Sequence, residues 1–134
     1  MQIQPYLFFN GRCEEALNFY REVLGAEIEA LMRFKEAPQQ ETVPPGAADK
    51  VMHASVKIGD SHLMASDGLN DPTQKISGFS LSIGVPGVDE GRRLCQALAA
   101  GGKIDMAFAP TFWTSGFGML TDKFGVAWMV SVDH

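Results

Sequence analysis

Apolar and polar positions along this chain switch between a strand period and a helix period, and the order of the switches defines the elements. Residues 3–9 are rich in aromatic and branched side chains and stop at Asn10-Gly11, which predicts a first strand and a turn. From 12 to 24 the apolar set Ala16, Leu17, Tyr20, Val23 and Leu24 recurs at helical spacing. Asn10 or Gly11 is expected to cap this helix and Gly25 to close it. A second strand is expected over 26–34. The segment 35–49 holds three of the seven prolines and has no apolar periodicity, which predicts a long loop, either a lid or a mobile excursion. Residues 51–67 alternate about Gly59-Asp60, which suits a two-residue hairpin connection. Pairing Ile58 with Ser61 puts Met52, Ala54, Val56, Ile58, Leu63 and Ala65 on one face, and His53, Ser55, Lys57, His62, Met64 and Ser66 on the other.

After a linker at 68–76 the programme repeats. A strand is expected over 77–85, and a helix starts at Asp89-Glu90, shows Leu94, Cys95, Ala97 and Leu98 on one face, and ends at Gly101-Gly102. A strand at 103–108 and a closing hairpin over 111–132, turning at 122–125, complete the chain. Asp122 and Lys123 are expected at a solvated hairpin tip. Each half therefore reads strand, helix, strand, strand, strand, with module 1 at about 1–67 and module 2 at about 77–134 of a single domain. The halves also match locally: LMAS at 63–66 lies over WMVS at 128–131, and Gln4 and Tyr6 lie over Ser80 and Ser82. A βαβββ unit buries one sheet face under its helix and leaves the other open. The expected fold is α+β, with two such modules forming a concave mixed sheet around a shared cavity.

Composition narrows the partners. The 134 residues are 46% hydrophobic, enough for one ordinary core. Sixteen acidic against eleven basic residues give a net charge of −5, and Lys and Arg are scattered, so nucleic acid is not an expected partner. No apolar run is long enough for a membrane helix, and MQIQPYLFF lacks the features of a secretion signal, so a soluble cytoplasmic protein is expected. Cys13 and Cys95 lack redox or zinc spacing and are expected to be reduced helix residues. Gly116-Phe117-Gly118 falls within a hairpin rather than between a strand and a helix, so no nucleotide-sized cofactor is expected.

PYLFFNGRCEEALNFY at 5–20, LGAE at 24–27, HASVKIG at 53–59, LMASD at 63–67, and TFW with GFGMLTDKFGVAWM between 111 and 129 together resemble the PhnB-like branch of the vicinal oxygen chelate superfamily. That superfamily includes glyoxalase I, extradiol dioxygenases and bleomycin resistance proteins. The resemblance implies metal-ligand positions at or near Gln4, Met64, Ser80 and Met129. A thioether suits neither a hard cation nor zinc, iron or nickel, so no cofactor is expected, with a divalent metal kept as the alternative. The expected ligand-binding set is Gln4, Tyr6, Ser55, Met64, Ser66, Ser80, Ser82, Trp113 and Met129. His53 is the candidate for chemistry, because imidazole ordinarily titrates at about 6.5 and suits a general base. His62 lies near the turn, away from His53, and Asp67 points to the opposite face. Two readings stay open: a metal-free small-molecule binding protein, or an enzyme using a divalent metal or His53. A homodimer is expected, from the apolar load of the closing hairpin and from the resemblance.

Overall fold

The computed structural model describes residues 1–38, 43, 45–68 and 75–133. It divides into two compact units, Met1–Gln74 and Lys75–His134. The linker expected at 68–76 spans this boundary, and its residues 69–74 lie outside the described residues, as do 39–42 and 44 of the proline-rich loop.

The first unit runs β1 (Tyr6–Phe8), α1 (Cys13–Leu24), β2 (Glu27–Arg33), β3 (Val51–Ile58) and β4 (Ser61–Ser66), with a single 3-10 turn at Phe34–Glu36 after β2. Its sheet has the order β1-β4-β3-β2, parallel between β1 and β4 and antiparallel elsewhere. The hairpin has the expected register, with Ile58 opposite Ser61, Val56 opposite Leu63 and Ala54 opposite Ala65. Gly59 takes φ +57°, the conformation that the first turn position requires. Ala54, Val56, Leu63 and Ala65 are buried with Leu7, and α1 closes over them with Ala16, Leu17 and Tyr20. Met52 departs from the expected alternation. The pairing skips it between Met32–His53 and Arg33–Val51, so this bulge leaves Met52 half-buried and brings Val51 into the core.

The first strand is shorter than the pattern suggested, because 3–5 and Phe9 lie outside it. The helix cap also differs. Asn10 (φ +50°) and Gly11 (φ +98°) make a tight turn closed by the Arg12 N–H donating to Phe9 O, and neither caps α1. The cap comes from a distant residue. The Cys13 N–H donates to Asp67 Oδ1 at 2.8 Å, and the Val51 N–H donates to Asp67 Oδ2 at 2.7 Å. Asp67 thus points to the helix side, as its register position requires. A carboxylate at a helix start satisfies an orphan donor and faces the positive end of the helix dipole.

The second unit repeats this topology: β5 (Leu81–Val85), α2 (Val88–Leu98), β6 (Lys103–Ala109), β7 (Phe117–Thr121) and β8 (Ala127–Val132), in the order β5-β8-β7-β6. Val85, Leu120, Trp128, Val130 and Val132 are buried with Cys95 and Leu98 of α2. Strand β5 begins at Leu81, four residues later than the 77–85 alternation implied. The closing hairpin is likewise shorter, since β7 starts at Phe117. Residues 111–116 instead fold into a turn, in which Thr111 Oγ1 accepts from the Thr114 N–H at 3.2 Å and Thr114 Oγ1 donates to Val132 O at 2.9 Å. Asp122 is no solvated tip. It is 2% exposed, its Oδ1 accepts from the Phe124 and Val126 N–H groups, and its Oδ2 accepts from Trp128 Nε1–H at 2.9 Å. Such a bond to an ionised acceptor contributes about 1.5–3 kcal/mol. The internal repeat holds at the level of pairing: Tyr6 stands beside Met64 in the first sheet as Ser82 stands beside Met129 in the second.

Two outcomes follow from this wiring. Asp67→Ala removes the cap of α1 and unpairs two backbone donors, so urea unfolding should show a loss of about 2–4 kcal/mol, and a loss below about 0.5 kcal/mol would remove the structural role. Burial, followed by the charges of Asp67 and Glu14, pushes the Cys13 thiol from its ordinary 9.0 to about 12. The folded chain holds this proton more tightly than the unfolded one, so the associated stability is complete below about pH 9 and is lost as pH rises toward 12. Cys13→Ala should flatten the fall in urea midpoint between pH 9 and 11, and an unchanged slope would contradict the burial argument.

Candidate functional site

The side of the first sheet away from α1 is set by register. Tyr6, Met64, Ser55 and Ala30 form one row across β1, β4, β3 and β2, and Phe8 stands beside Ser66 while His53 stands beside Met32. Alternation puts these side chains opposite the buried Leu7, Ala54 and Ala65. Tyr6 reaches across the sheet, and its Oη lies 2.9 Å from His53 Nδ1 with the ring centroids 5.6 Å apart. Phe8 stacks on Tyr6 at 5.0 Å. Tyr6, Phe8 and Met32 remain 38%, 40% and 41% exposed, so this aromatic surface is accessible. Burial raises the Tyr6 phenol above its ordinary range and Cys13 adds to this, while the nearby Ser66 acts in the opposite direction.

The structure brings Tyr6, Ser55, His53 and Met64 onto one face. Gln4 is half-buried just ahead of β1, whose pairing with β4 already starts where Pro5 O accepts from the Met64 N–H. Ser66 shares the face by register, but its hydroxyl is 3% exposed and engaged by backbone, donating to Val51 O and accepting from the Gly68 N–H. His62 stands apart at the turn end, beside Lys57 and 3.5 Å from Glu29 Oε1.

The remaining candidates lie in the second unit. Met129 is flanked by Ser82 on β5 and Met119 on β7, on the face away from the buried Trp128 and Val130. Ser80 is exposed and precedes β5. Trp113 sits in the 111–116 turn rather than on a strand, 51% exposed, with its ring edge-on to Phe117 at 5.4 Å and to Phe112 at 4.8 Å. Sequence reasoning passed over Phe8, which two-residue alternation from Tyr6 would have placed, and Met119, which the 122–125 turn sets opposite Met129. It also missed Met106, whose place beside Met119 depends on a bulge after Ile104.

The four positions where the superfamily holds a metal do not fit one here. Met64 and Met129 offer uncharged thioethers, and Gln4 and Ser80 offer only neutral oxygens. Among the described residues no three His, Cys, Asp or Glu side chains form a group that could hold an ion.

Comparison with known proteins agrees with the architecture. A family model described as Glyoxalase/Bleomycin resistance protein/Dioxygenase superfamily matches residues 2–130. Protein YjdN of Escherichia coli is 41% identical over 140 residues, covering 98% of this chain and 95% of that protein. The crystal structure of protein PA1353 from Pseudomonas aeruginosa superposes with a TM-score of 0.88 at 46% identity, covering 99% of this chain and 98% of that one. A PhnB protein from Bacillus cereus, named as a putative 3-demethylubiquinone-9 3-methyltransferase, gives a TM-score of 0.85 at 27% identity, covering 99% and 100%. With its two βαβββ units and these relatives, the chain belongs to the glyoxalase/bleomycin resistance protein/dioxygenase superfamily, in its PhnB-like branch.

Proposed function

We propose that this chain binds a small organic molecule on the open face of its first sheet, without a catalytic metal. The observation that supports the reading is the Tyr6 Oη–His53 Nδ1 bond of 2.9 Å, set among the exposed Phe8 and Met32 and the half-buried Met64. A binding face needs apolar area for contact and a few fixed polar groups for orientation, and this one has both. A phenol that holds its proton is the natural donor of this bond. His53 then carries its own proton on Nε2 and presents a donor to a ligand oxygen. The enzyme reading, with His53 as general base, needs the opposite tautomer, in which Nδ1–H donates to the phenol oxygen and Nε2 is left as a lone pair.

The methyltransferase activity in the name of the Bacillus cereus relative finds no support in this chain. Each sheet is four-stranded and mostly antiparallel, with no parallel array in which a glycine-rich turn leads from a strand into a helix to cradle a nucleotide. The same proposal takes the protein as cytoplasmic, since both cysteines are free, which suits a reducing compartment. Among the described residues no helix is long and apolar enough to cross a membrane.

Binding is tested by nuclear magnetic resonance titration with a panel of small aromatic acids, alcohols and amines. Tyr6→Phe should weaken any ligand that perturbs His53 by about three- to tenfold, the share of one hydrogen bond, while changing stability little. The 15N shifts of His53 read the tautomer directly, and an Nδ1–H form would favour the base. Elemental analysis finding about one Zn, Ni, Mn or Fe per chain, together with a melting temperature lowered by chelator, would overturn the metal-free reading.

The homodimer is part of the proposal, supported by Phe112 and Trp113, which are 98% and 51% exposed. Light scattering should give about twice the 14.6 kDa chain mass, and Trp113→Asp should return it to one. A single-chain mass for the unmodified protein would sink this.

A further inference from the structure

We propose that the open face of the second sheet binds a primary amine carrying an apolar or aromatic body. This rests on the small-molecule reading above and names a ligand class for a face to which that reading assigns none.

The two ends of this face differ in chemistry. At one end Gly84 on β5 pairs with Ser131 on β8, and the Asp133 carboxylate lies flat over the glycine. A Cβ at position 84 would stand 2.4 and 2.5 Å from the two carboxylate oxygens, so only glycine permits the approach. Ser82 shares the same face two residues earlier. A carboxylate and two hydroxyls thus gather at one corner, and three acceptors match the three N–H bonds of an ammonium group. Asp133 is tied to its neighbours through its backbone, whose N–H donates to Val85 O at 2.8 Å. Its carboxylate has no partner among the described residues.

At the other end Met129, Met119 and Met106 stand directly opposite one another across β8, β7 and β6. Phe117 lies beside Ser131, with Trp113 edge-on to it. Met106 is 48% exposed, and Met119 and Met129 are half-buried. Flexible thioethers mould to an irregular apolar body and make favourable contacts with aromatic rings. From Gly84 to Phe117 is two strand spacings, roughly 10 Å, within reach of an amine bearing one ring. Charge argues for a cation. Among the described residues the lysine on this face, Lys103, sits at the far edge and is matched by Asp105 at 3.6 Å, so an anionic ligand would meet the Asp133 carboxylate with no basic group beside it.

The test uses three molecules of similar shape, 2-phenylethylamine, 2-phenylethanol and 3-phenylpropionate, titrated into the full chain with 13C-labelled methionine methyls. The amine should shift the Met119 and Met129 methyl signals and bind about three- to tenfold more tightly than the alcohol, with the acid weakest and the preference shrinking as salt is added. Asp133→Asn should abolish the preference. Gly84→Ala should do the same by pushing the carboxylate off the face. Equal binding of amine and alcohol, or a preference that survives Asp133→Asn, would overturn the ligand class while leaving small-molecule binding standing. No shift of these methyls with any of the three, while the first sheet responds, would remove this face as a site. No response anywhere would count against the binding reading itself.

Discussion

A single buried carboxylate holds the first unit together where its elements meet. Asp67 follows the last residue of β4, accepts from the first residue of α1, and exchanges bonds with the first residue of β3 through both its side chain and its own N–H. Three chain segments far apart in sequence are thereby fixed at one point, and each has a buried backbone donor that would otherwise be costly. The consequence for the site is direct. His53 lies two residues beyond Val51, and Tyr6 lies on the strand that pairs with β4 and turns into α1. The phenol and the imidazole meet because this carboxylate sets where their strands begin and end.

Much of the architecture was legible because strong periodicities and turn residues agreed. Gly59-Asp60 located one turn, and counting back from it put every residue of β3 and β4 on the correct face except at the Met52 bulge. Asp122-Lys123-Phe124-Gly125 located the other. What could not be read was whatever depends on partners far away in the chain. The cap on α1 is local in most helices, and nothing near Cys13 announces that Asp67 supplies it. Asp122 looked like a surface turn residue because its burial depends on an indole six positions on. The strand expected at 111–116 was lost to side-chain bonds of Thr111 and Thr114, which offer the backbone an alternative to the ladder. For the site, alternation placed His53, Ser55 and Met64 together, but the hydrogen bond from Tyr6 needed the parallel pairing of β1 with β4. Asp133 over Gly84 needed the pairing of β5 with β8.

The two units use one topology to present different surfaces. Where the first sheet carries a phenol beside Met64, the second carries Ser82 beside Met129. A carboxylate or imidazole at these central positions would favour a Lewis acid. A thioether favours dispersion and shape, and leaves the polar groups to the edges of each face. The fold family is settled by the match over residues 2–130, whereas the chemistry follows from what fills these few positions.

The placement of Tyr6 carries one more consequence. It rides on β1, a three-residue strand at the end of the order β1-β4-β3-β2, where it pairs with β4. An edge strand held by few ladder bonds opens more readily than the core it borders. Leu7 counters this from the same strand, since its side chain is buried in the core, so the distance between the phenol and His53 is set jointly by a few ladder positions and one apolar anchor.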